Sequence, residues 1–492
     1  MADEKPRCAV VDLGSNSVRL VVYEGRARNP VAIFNEKAVL RLGRGLQATG
    51  QLHPDGMARA FVVLGRYHAV ARAMGAAPIE VLATAAVRDA TNGAAFVAAL
   101  GARLPGMGIR VLSGAEEADL AARGVLCGIP DADGVVADIG GGSLELLRIR
   151  DGGHAGARTL GLGVIRLAER AGNDPERARG IVDADLDGVP WLGEMEDRDL
   201  YLVGGAWRAL ARVHMAQVAY PLRMVHQYAI GREEARELAV MIATAGRRAL
   251  ERLPGIPRRR IEDLPFAAIV LRRLLRLGAP RRVVFSASGL REGWYLGRIP
   301  PAVAAEDPLE AAARHYAHFL GRDIEMPPAL IDWTAALFAD EPAPARRLRE
   351  AACWMSDLGA RDHPEFRAEQ AFLRVFRQPG IGLDHTARAF LALTIALRYE
   401  ADPETPFLRP ARTLLDVAAA HRAEVLGMAL RLAYSLSAGT PALLAGVALR
   451  VSAGRLVLRL DPAAGLFEGD SVIRRLDRLA QAMGLEPVAS VE

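Results

Sequence analysis

The sequence predicts an α/β protein of two related lobes with a cleft between them, continued by a long helical region and a small α+β tail. Three observations carry that expectation. Residues 135–147, VVADIGGGSLELL, read as an apolar strand ending in an aspartate, a glycine-rich turn and a second apolar strand. Residues 9–23, AVVDLGSNSVRLVVY, repeat the pattern: with Asp12 set on Asp138, Leu13 falls on Ile139, Gly14 on Gly140, Ser17 on Ser143 and Leu20 on Leu146 without a gap, the mark of an internal duplication. Strands and helices then alternate as far as about residue 300, whereas residues 308–437 read as almost wholly helical.

Composition narrows the classes. At 492 residues, 51% apolar and 24% charged, the chain has material for several domains with cores of their own and is not of a disordered class. No apolar run reaches the roughly 18 residues that a membrane span needs, and the opening MADEKPR leads into a strand without a secretory pattern, so the expected place is the cytoplasm, with no membrane partner. Cys8, Cys127 and Cys353 are scattered, which makes neither a disulfide framework nor a zinc site and suits a reducing compartment. Net charge is only +4, yet of 62 basic residues only Lys5 and Lys37 are lysine. Arginine suits bidentate phosphate recognition, although an Ala/Arg/Gly/Leu-rich chain also results from biased codon usage. Arg258–Arg260, Arg272 and Arg273 with Arg276, and Arg281 with Arg282 are candidates either for a polyanion path or for solvated faces.

In chain order, residues 31–42 read as a further strand after the first hairpin, and 54–74 as a helix whose Met57, Phe61, Leu64 and Met74 form an apolar stripe. Residues 79–83 are a short strand leading into Thr84-Ala85-Ala86-Val87-Arg88-Asp89. Asn92 is placed to cap a helix ending near Leu104, and 109–112 is another strand. Ser113-Gly114-Ala115-Glu116 has the spacing of a capping box, which occupies Glu116 with the helix start. Glu117 is left without that duty; it is either a solvated carboxylate favoured by the helix dipole or a group aimed into the cleft. In the second lobe, 154–160 extends the sheet of the hairpin, Gly161-Leu162-Gly163 leads into a helix, and 175–188 is helical. A strand over 200–203 ends in Gly204-Gly205, a common pair that can admit a nucleotide or a phosphate, before a helix over 206–215. Residues 233–252 and 266–278 read as helices, 281–287 as a strand and 297–308 as a linker. In the tail, 447–460 is a hairpin turning at Ala453-Gly454, followed by a helix over 470–483.

The duplicated turns carry the chemistry. Facing each other, they form a clamp for phosphate: glycine lets the backbone approach an anion, Ser15, Ser17 and Ser143 add hydroxyl donors, and Asp12 and Asp138 stand where a hydrated Mg²⁺ can be held against phosphate oxygens. A single such turn is usually an ordinary hairpin; the duplication with both aspartates kept favours phosphate. Asp138 and Glu145 bracket the glycine loop, so the hairpin can return both carboxylates to one ion. Arg19 holds the Glu145 position in the first repeat, which sets a cation against a carboxylate unless Arg19 faces outward.

The segments DLGSNSVRL, TAAVRDATN, SGAEEADLAARGV, DIGGGSLEL and SASGLREG, in this order, resemble the exopolyphosphatase and guanosine pentaphosphate phosphatase family, a branch of the actin-like and sugar-kinase-like ATPase superfamily. The likeness is specific over about residues 7–300 and looser beyond. It implies two actin-like (ribonuclease H-like) lobes over 1–127 and 128–300. It also implies a helical domain over 301–437 similar to the HD phosphohydrolase fold and a small α+β domain over 438–492. Ser356-Asp357 stands where a histidine-aspartate pair would be wanted, so no working metal site is expected there; His385 of Asp384-His385 is read as structural. By the same resemblance, Glu117 is the general base and Arg88 a phosphate-binding catalytic arginine. Asp12, Gly14, Ser15, Asn16, Ser17, Gly140, Gly141, Gly142 and Ser143 bind phosphate, and Asp138 and Glu145 hold Mg²⁺, with Mn²⁺ as a substitute.

The activity implied is Mg²⁺-dependent release of terminal orthophosphate from inorganic polyphosphate by a homodimer without specific nucleic-acid partners. Guanosine pentaphosphate 5′-phosphohydrolysis is the alternative, since both substrates end in the same phosphoanhydride. A small-molecule kinase of the superfamily and a non-catalytic polyphosphate- or alarmone-binding regulator stand further off. The arginine-rich C-terminal half is expected to form, with its counterpart in a dimer, a basic channel for long chains.

Overall fold

A computed structural model describes residues 6–378, 382–464 and 469–491. The opening MADEK, residues 379–381 of the expected helical run and the side chain of Arg259 lie outside the described residues. The chain divides into two compact units, Met1–Ala305 and Glu306–Glu492.

The first unit holds two mixed sheets built on one plan. In the first, β1 (Arg7–Leu13), β2 (Ser17–Glu24), β3 (Val31–Val39), β4 (Ala76–Ala83) and β5 (Gly108–Val111) lie in the order β3-β2-β1-β4-β5. The second holds β6 (Gly134–Ile139), β7 (Leu144–Arg150), β8 (Gly153–Leu160), β9 (Asp199–Val203), β10 (Tyr228–Gly231) and β11 (Arg282–Ser286), in the order β10-β11-β9-β6-β7-β8. In each sheet three antiparallel strands are followed by two parallel ones. The duplication visible in the hairpins is therefore a duplication of whole sheets, and β10 is an addition at one edge. This is the mixed-sheet α/β arrangement of the actin-like fold.

Burial follows the sequence pattern. Central strands such as β6, flanked on both sides, are buried almost throughout, whereas the edge strand β3 is mostly exposed. Two large apolar cores form, one between the first sheet and the helix Pro54–Ala73, the other around the helices Gly205–Gln217 and Leu264–Gly278. The helices Gly114–Gly128 and Leu290–Leu296 meet backbone to backbone: a Cβ on Gly124 would lie 2.0 Å from the Gly289 carbonyl oxygen, and one on Gly293 would lie 1.9 Å from that of Leu120. Only glycine permits that approach, and it brings the elements carrying Glu117 and Arg291 together.

Four local expectations are corrected. Asn92 precedes the helix Gly93–Arg103, but its Oδ1 accepts from the Leu52 N–H at 2.9 Å instead of capping. The single helix expected over 233–252 is two, Arg232–Thr244 and Arg247–Arg252, with extended backbone at Ala245 and Gly246. The residues after β11 form a helix, Leu290–Leu296, and the linker contains a helical turn, Pro301–Ala304. Among the described residues no helix is long and apolar enough to cross a membrane.

The second unit is helical from Pro308–Leu320 to Val417–Ser437, then closes on a three-stranded sheet of β12 (Val447–Ser452), β13 (Arg455–Leu460) and β14 (Glu486–Val491) with the helix Asp470–Ala482. The expected hairpin is present; β14, pairing parallel to β13, was not foreseen. Asp357 is bound by Arg322 at 2.8 Å and by Arg398 at 3.3 Å, and the Arg398 guanidinium lies 3.9 Å and 3.8 Å from the ring centroids of Tyr399 and Tyr434. Ser356 donates to the Cys353 carbonyl oxygen at 2.7 Å. Asp384 caps the helix His385–Arg398 through the Ala387 N–H, and His385 is buried.

Candidate active site

The duplicated turns close in the same way. Gly14 donates to the Ser17 carbonyl at 3.1 Å, and Gly140 to that of Ser143 at 3.0 Å. The Gly140 and Gly141 carbonyls accept from the first N–H groups of the helix Val164–Ala171, which fastens the second loop to that helix. The two turns touch: a Cβ on Gly142 would lie 2.8 Å from Ser15 Oγ, and one on Gly141 3.2 Å from Ser15 Cβ. Gly142, and more loosely Gly141, is thus needed for the loops to close on each other, whereas a Cβ on Gly140 would meet the Ser143 carbonyl at an ordinary 3.7 Å.

Between them lies a cavity of about 160 Å³. Asp12, Gly14, Ser15, Asn16, Ser17, Gly140, Gly141, Gly142 and Ser143 all line it, together with Glu117 and Asp138. Glu145 is not on its wall; it is buried on β7 as the cross-strand neighbour of Asp138 on β6. Glu116 closes the capping box with Ser113, its Oε2 accepting from the Ser113 N–H at 2.8 Å. Glu117, one residue on, is buried at the cavity wall. Arg88 does not line this cavity; its Nη1 donates to Glu117 Oε2 and to the Leu112 carbonyl, each at 3.1 Å, and its Nε to Asp89 at 3.1 Å.

Basic residues line the cavity too: the sequence marks Arg19 as a candidate cation of the site and Arg260 as part of a candidate polyanion path, whereas it gives Lys37, Arg208 and Arg291 no site role. Arg19, Lys37, Arg208, Arg260 and Arg291 line the cavity, and Arg291 Nε lies 4.0 Å from Asp12. Arg19 therefore faces the cavity, while its Nη1 donates to Asn35 at 2.6 Å. Gly204 and Gly205 reach the cavity too. Gly204 has φ 122°, and a Cβ there would lie 2.4 Å from the Ile139 carbonyl oxygen, so glycine is demanded by packing whatever the ligand. Arg208 stands on the helix that this pair begins, and Arg291 falls within SASGLREG; those were the available signals. Of the described side chains of the arginine clusters, Arg260 alone reaches the cavity. Arg273 pairs with Asp183 and Asp187, and Arg281 and Arg282 with Asp199.

Burial dominates the electrostatics. It pushes the Glu117 carboxyl up to about 8, with Asp138 adding to the rise and Arg88 opposing it. Asp138 is raised to about 6 by burial, against the pull of Arg208. Glu145 is raised well above the usual range by burial and by the charges of Glu117 and Asp138, and Asp12, a third of whose side chain opens into the cavity, is raised by burial against Arg291 and Arg19. Carboxylates held this close in low dielectric lack positive charge. Glu145 Oε1 is also buried without a hydrogen-bond partner. A bound cation supplies what both observations lack, so the residues fit one. No three His, Cys, Asp or Glu side chains among the described residues form a metal-binding group by themselves; one or two carboxylates completed by phosphate oxygens and water is the usual setting of Mg²⁺.

Residues 21–301 match the model of the Ppx/GppA phosphatase family, and residues 309–488 that of the exopolyphosphatase C-terminal region. Exopolyphosphatase 2 of Mycobacterium tuberculosis is 30% identical over 290 residues, covering 55% of this chain and 90% of that protein. Retrograde regulation protein 2 of Saccharomyces cerevisiae is 24% identical over 437 residues, covering 80% of this chain and 72% of that protein. Among solved structures, an exopolyphosphatase from Cytophaga hutchinsonii superposes with a TM-score of 0.53 at 22% identity, covering 58% of this chain and 96% of that one. The Aquifex aeolicus Ppx/GppA family member superposes at 0.51 and 20% identity, covering 60% and 97%. These structural likenesses bear on fold; the family match begins inside β2 and takes in the second turn, Glu117 and Asp138, while the first turn at Gly14–Ser17 precedes it. The chain belongs to the Ppx/GppA phosphatase family.

Proposed function

We propose that the protein is an exopolyphosphatase that removes the terminal orthophosphate of inorganic polyphosphate. The observation that carries this reading is one cavity that combines Asp12, Glu117, Asp138 and a glycine clamp with five basic side chains, which suits a polyanion whose last phosphate is to be hydrolysed. In the reaction the oxygen of water bonds to the terminal phosphorus, the bridging P–O bond breaks, and its electron pair stays on the shortened chain.

Glu117 takes the proton of the attacking water, a role worth about 10² to 10⁴ in rate. Its raised proton affinity suits a base, and the Arg88 guanidinium at 3.1 Å holds one of its oxygens in place. N–H groups of the loops at Gly14–Ser17 and Gly140–Ser143, with the serine hydroxyls, bind the oxygens of the transferred group; one well-placed donor contributes roughly 3 kcal/mol. Asp138 and Glu145 would hold Mg²⁺, for which Mn²⁺ could substitute. When bound, the ion neutralises charge on the phosphate oxygens. Arg291, Arg208, Arg260, Arg19 and Lys37 receive the remaining chain.

Guanosine pentaphosphate is the second reading, favoured by the extension of the cavity to Gly204-Gly205, where a nucleoside can lie. We further assign residues 1–127 and 128–300 as the two working lobes, 301–437 as an HD-like helical domain without a metal centre, and 438–492 as a closing domain. The assembly is a cytoplasmic homodimer whose arginine-rich C-terminal half engages long chains. Orthophosphate release from long polyphosphate, tripolyphosphate, guanosine pentaphosphate and ATP, each with Mg²⁺ and with or without a kinase acceptor, tests the reading. Release from polyphosphate without a second substrate is expected; no release, or transfer only to an acceptor, overturns it.

A further inference from the structure

A second cavity, of about 440 Å³, lies on the far side of Arg88 from the first. Arg88, Arg158 and Arg166 line it, with Asp89 as its acidic group and Gly114 and Ala115, the first residues of the Glu117 helix, as part of its wall. The partition between the cavities is thin. Arg88 bonds Glu117, which lines the first, while itself lining the second. A Cβ on Gly142, in the clamp, would lie 3.8 Å from Arg166 Nη2. Asp89 bridges the partition, accepting from Arg88 Nε at 3.1 Å and from Arg166 Nη2 at 2.6 Å. Arg158 is exposed and makes no ion pair among the described residues.

We propose that this second cavity is a binding site for the released orthophosphate. The inference rests on the exopolyphosphatase reading. Each turnover yields one orthophosphate beside Glu117, while the shortened chain still occupies the first cavity against its basic side chains and blocks retreat in that direction. Three guanidinium groups against one carboxylate leave net positive charge on the Arg88 side, and guanidinium groups bind phosphate through charge-assisted, bidentate hydrogen bonds. Arg88 is common to both spaces, so a phosphate freed beside Glu117 can exchange the Glu117–Arg88 contact for its own contact with Arg88 and pass to Arg166 and Arg158. No bond to phosphorus forms or breaks in this transfer.

The test combines binding and kinetics on the full chain. Inorganic orthophosphate is titrated calorimetrically into the protein and into Arg158→Glu, and product inhibition by orthophosphate is measured against varied polyphosphate. The expected result is inhibition that polyphosphate does not outcompete, about tenfold weaker orthophosphate binding in Arg158→Glu, and a polyphosphate KM unchanged within about twofold. Arg166→Gln, which keeps a hydrogen-bonding group towards Asp89, should weaken orthophosphate in the same sense. Competitive inhibition, orthophosphate affinity indifferent to both substitutions, or a polyphosphate KM rising in step with the orthophosphate constant overturns the proposal. Arg158-dependent orthophosphate binding in a protein that releases no orthophosphate from polyphosphate would instead uphold the site and overturn the activity.

Discussion

The two hairpins that begin the sheets have the same strand register and differ in charge at one cross-strand position. Asp12 pairs across the strands with Arg19, and Asp138 with Glu145. Their turns close with the same hydrogen bond, so backbone geometry does not separate them. The difference is one side chain on the second strand. Burial raises the aspartate in both copies, against Arg291 and Arg19 in the first and Arg208 in the second, but only in the second does another buried carboxylate, Glu145, stand across from it. Duplication thus supplied two hairpins of one backbone geometry, and on the proposed reading divergence at one cross-strand position makes one a wall for phosphate charge and the other a seat for a cation.

The most severe way to break this asymmetry is to make the second hairpin resemble the first. Glu145→Arg places a buried cation where the metal is to sit, and turnover is expected to fall by about 10³ or more, in line with loss of a metal's charge stabilisation. Steady-state rates on polyphosphate at saturating Mg²⁺ check it; near-normal turnover would remove Glu145 from the site. Next in size, Glu117→Gln should lower kcat by about two orders of magnitude with little change in binding, because only the proton acceptor is lost. Glu116→Gln, which touches only the helix cap, should stay within about threefold. Equal losses in the two variants would undo the assignment of Glu117 over its neighbour.

A milder change sharpens the comparison. Asp138→Asn and Glu145→Gln should raise the Mg²⁺ concentration for half-maximal rate by about tenfold, whereas Arg19→Ala should raise the polyphosphate KM by a few-fold and leave the Mg²⁺ requirement alone. Magnesium titrations of rate for the three variants decide whether the two cradles divide the work in this way. The smallest effect is on pH dependence. The base must be ionised, and Glu117 is raised to about 8, so kcat/KM should fall as pH drops below that value at low Mg²⁺. A cation among the carboxylates favours their charged forms, so the acid limb should move to lower pH as Mg²⁺ rises. A limb that ignores Mg²⁺ would detach Glu117 from the cation-binding cluster.

The second unit shows how different buried acids look when they only support structure. Glu341 is held by Arg349 at 2.7 Å and by Arg422, and Asp357 by Arg322 and Arg398. There each carboxylate is answered by guanidinium groups of its own unit, which is how buried charges are ordinarily tolerated. Among the described residues no guanidinium forms such an ion pair with Glu145, and that contrast supports reading the first cavity as the working site.

By itself the sequence determined whatever depends on neighbours along the chain: the hairpins, their glycine turns, the capping box that occupies Glu116, and the placement of Asp12 and Asp138 at strand ends. Each needs only alternation, a tight turn or hydrogen bonds spanning a few residues. The sequence pattern also showed that the two copies belonged together. What faces the cavity from a distance was decided only by the tertiary structure. Lys37, Arg208, Arg260 and Arg291 come from separate elements and share no local spacing, so no pattern marks them as one wall. Arg88 was legible as a site residue, but its attachment to Glu117 across 29 positions was not. Likewise β10 and β14 are short edge strands held by pairing with β11 and β13. Hydrogen bonds to a distant strand and the approach of Gly124 and Gly293 to opposing backbone are long-range facts, and the energy that fixes them is absent from any local window of the chain.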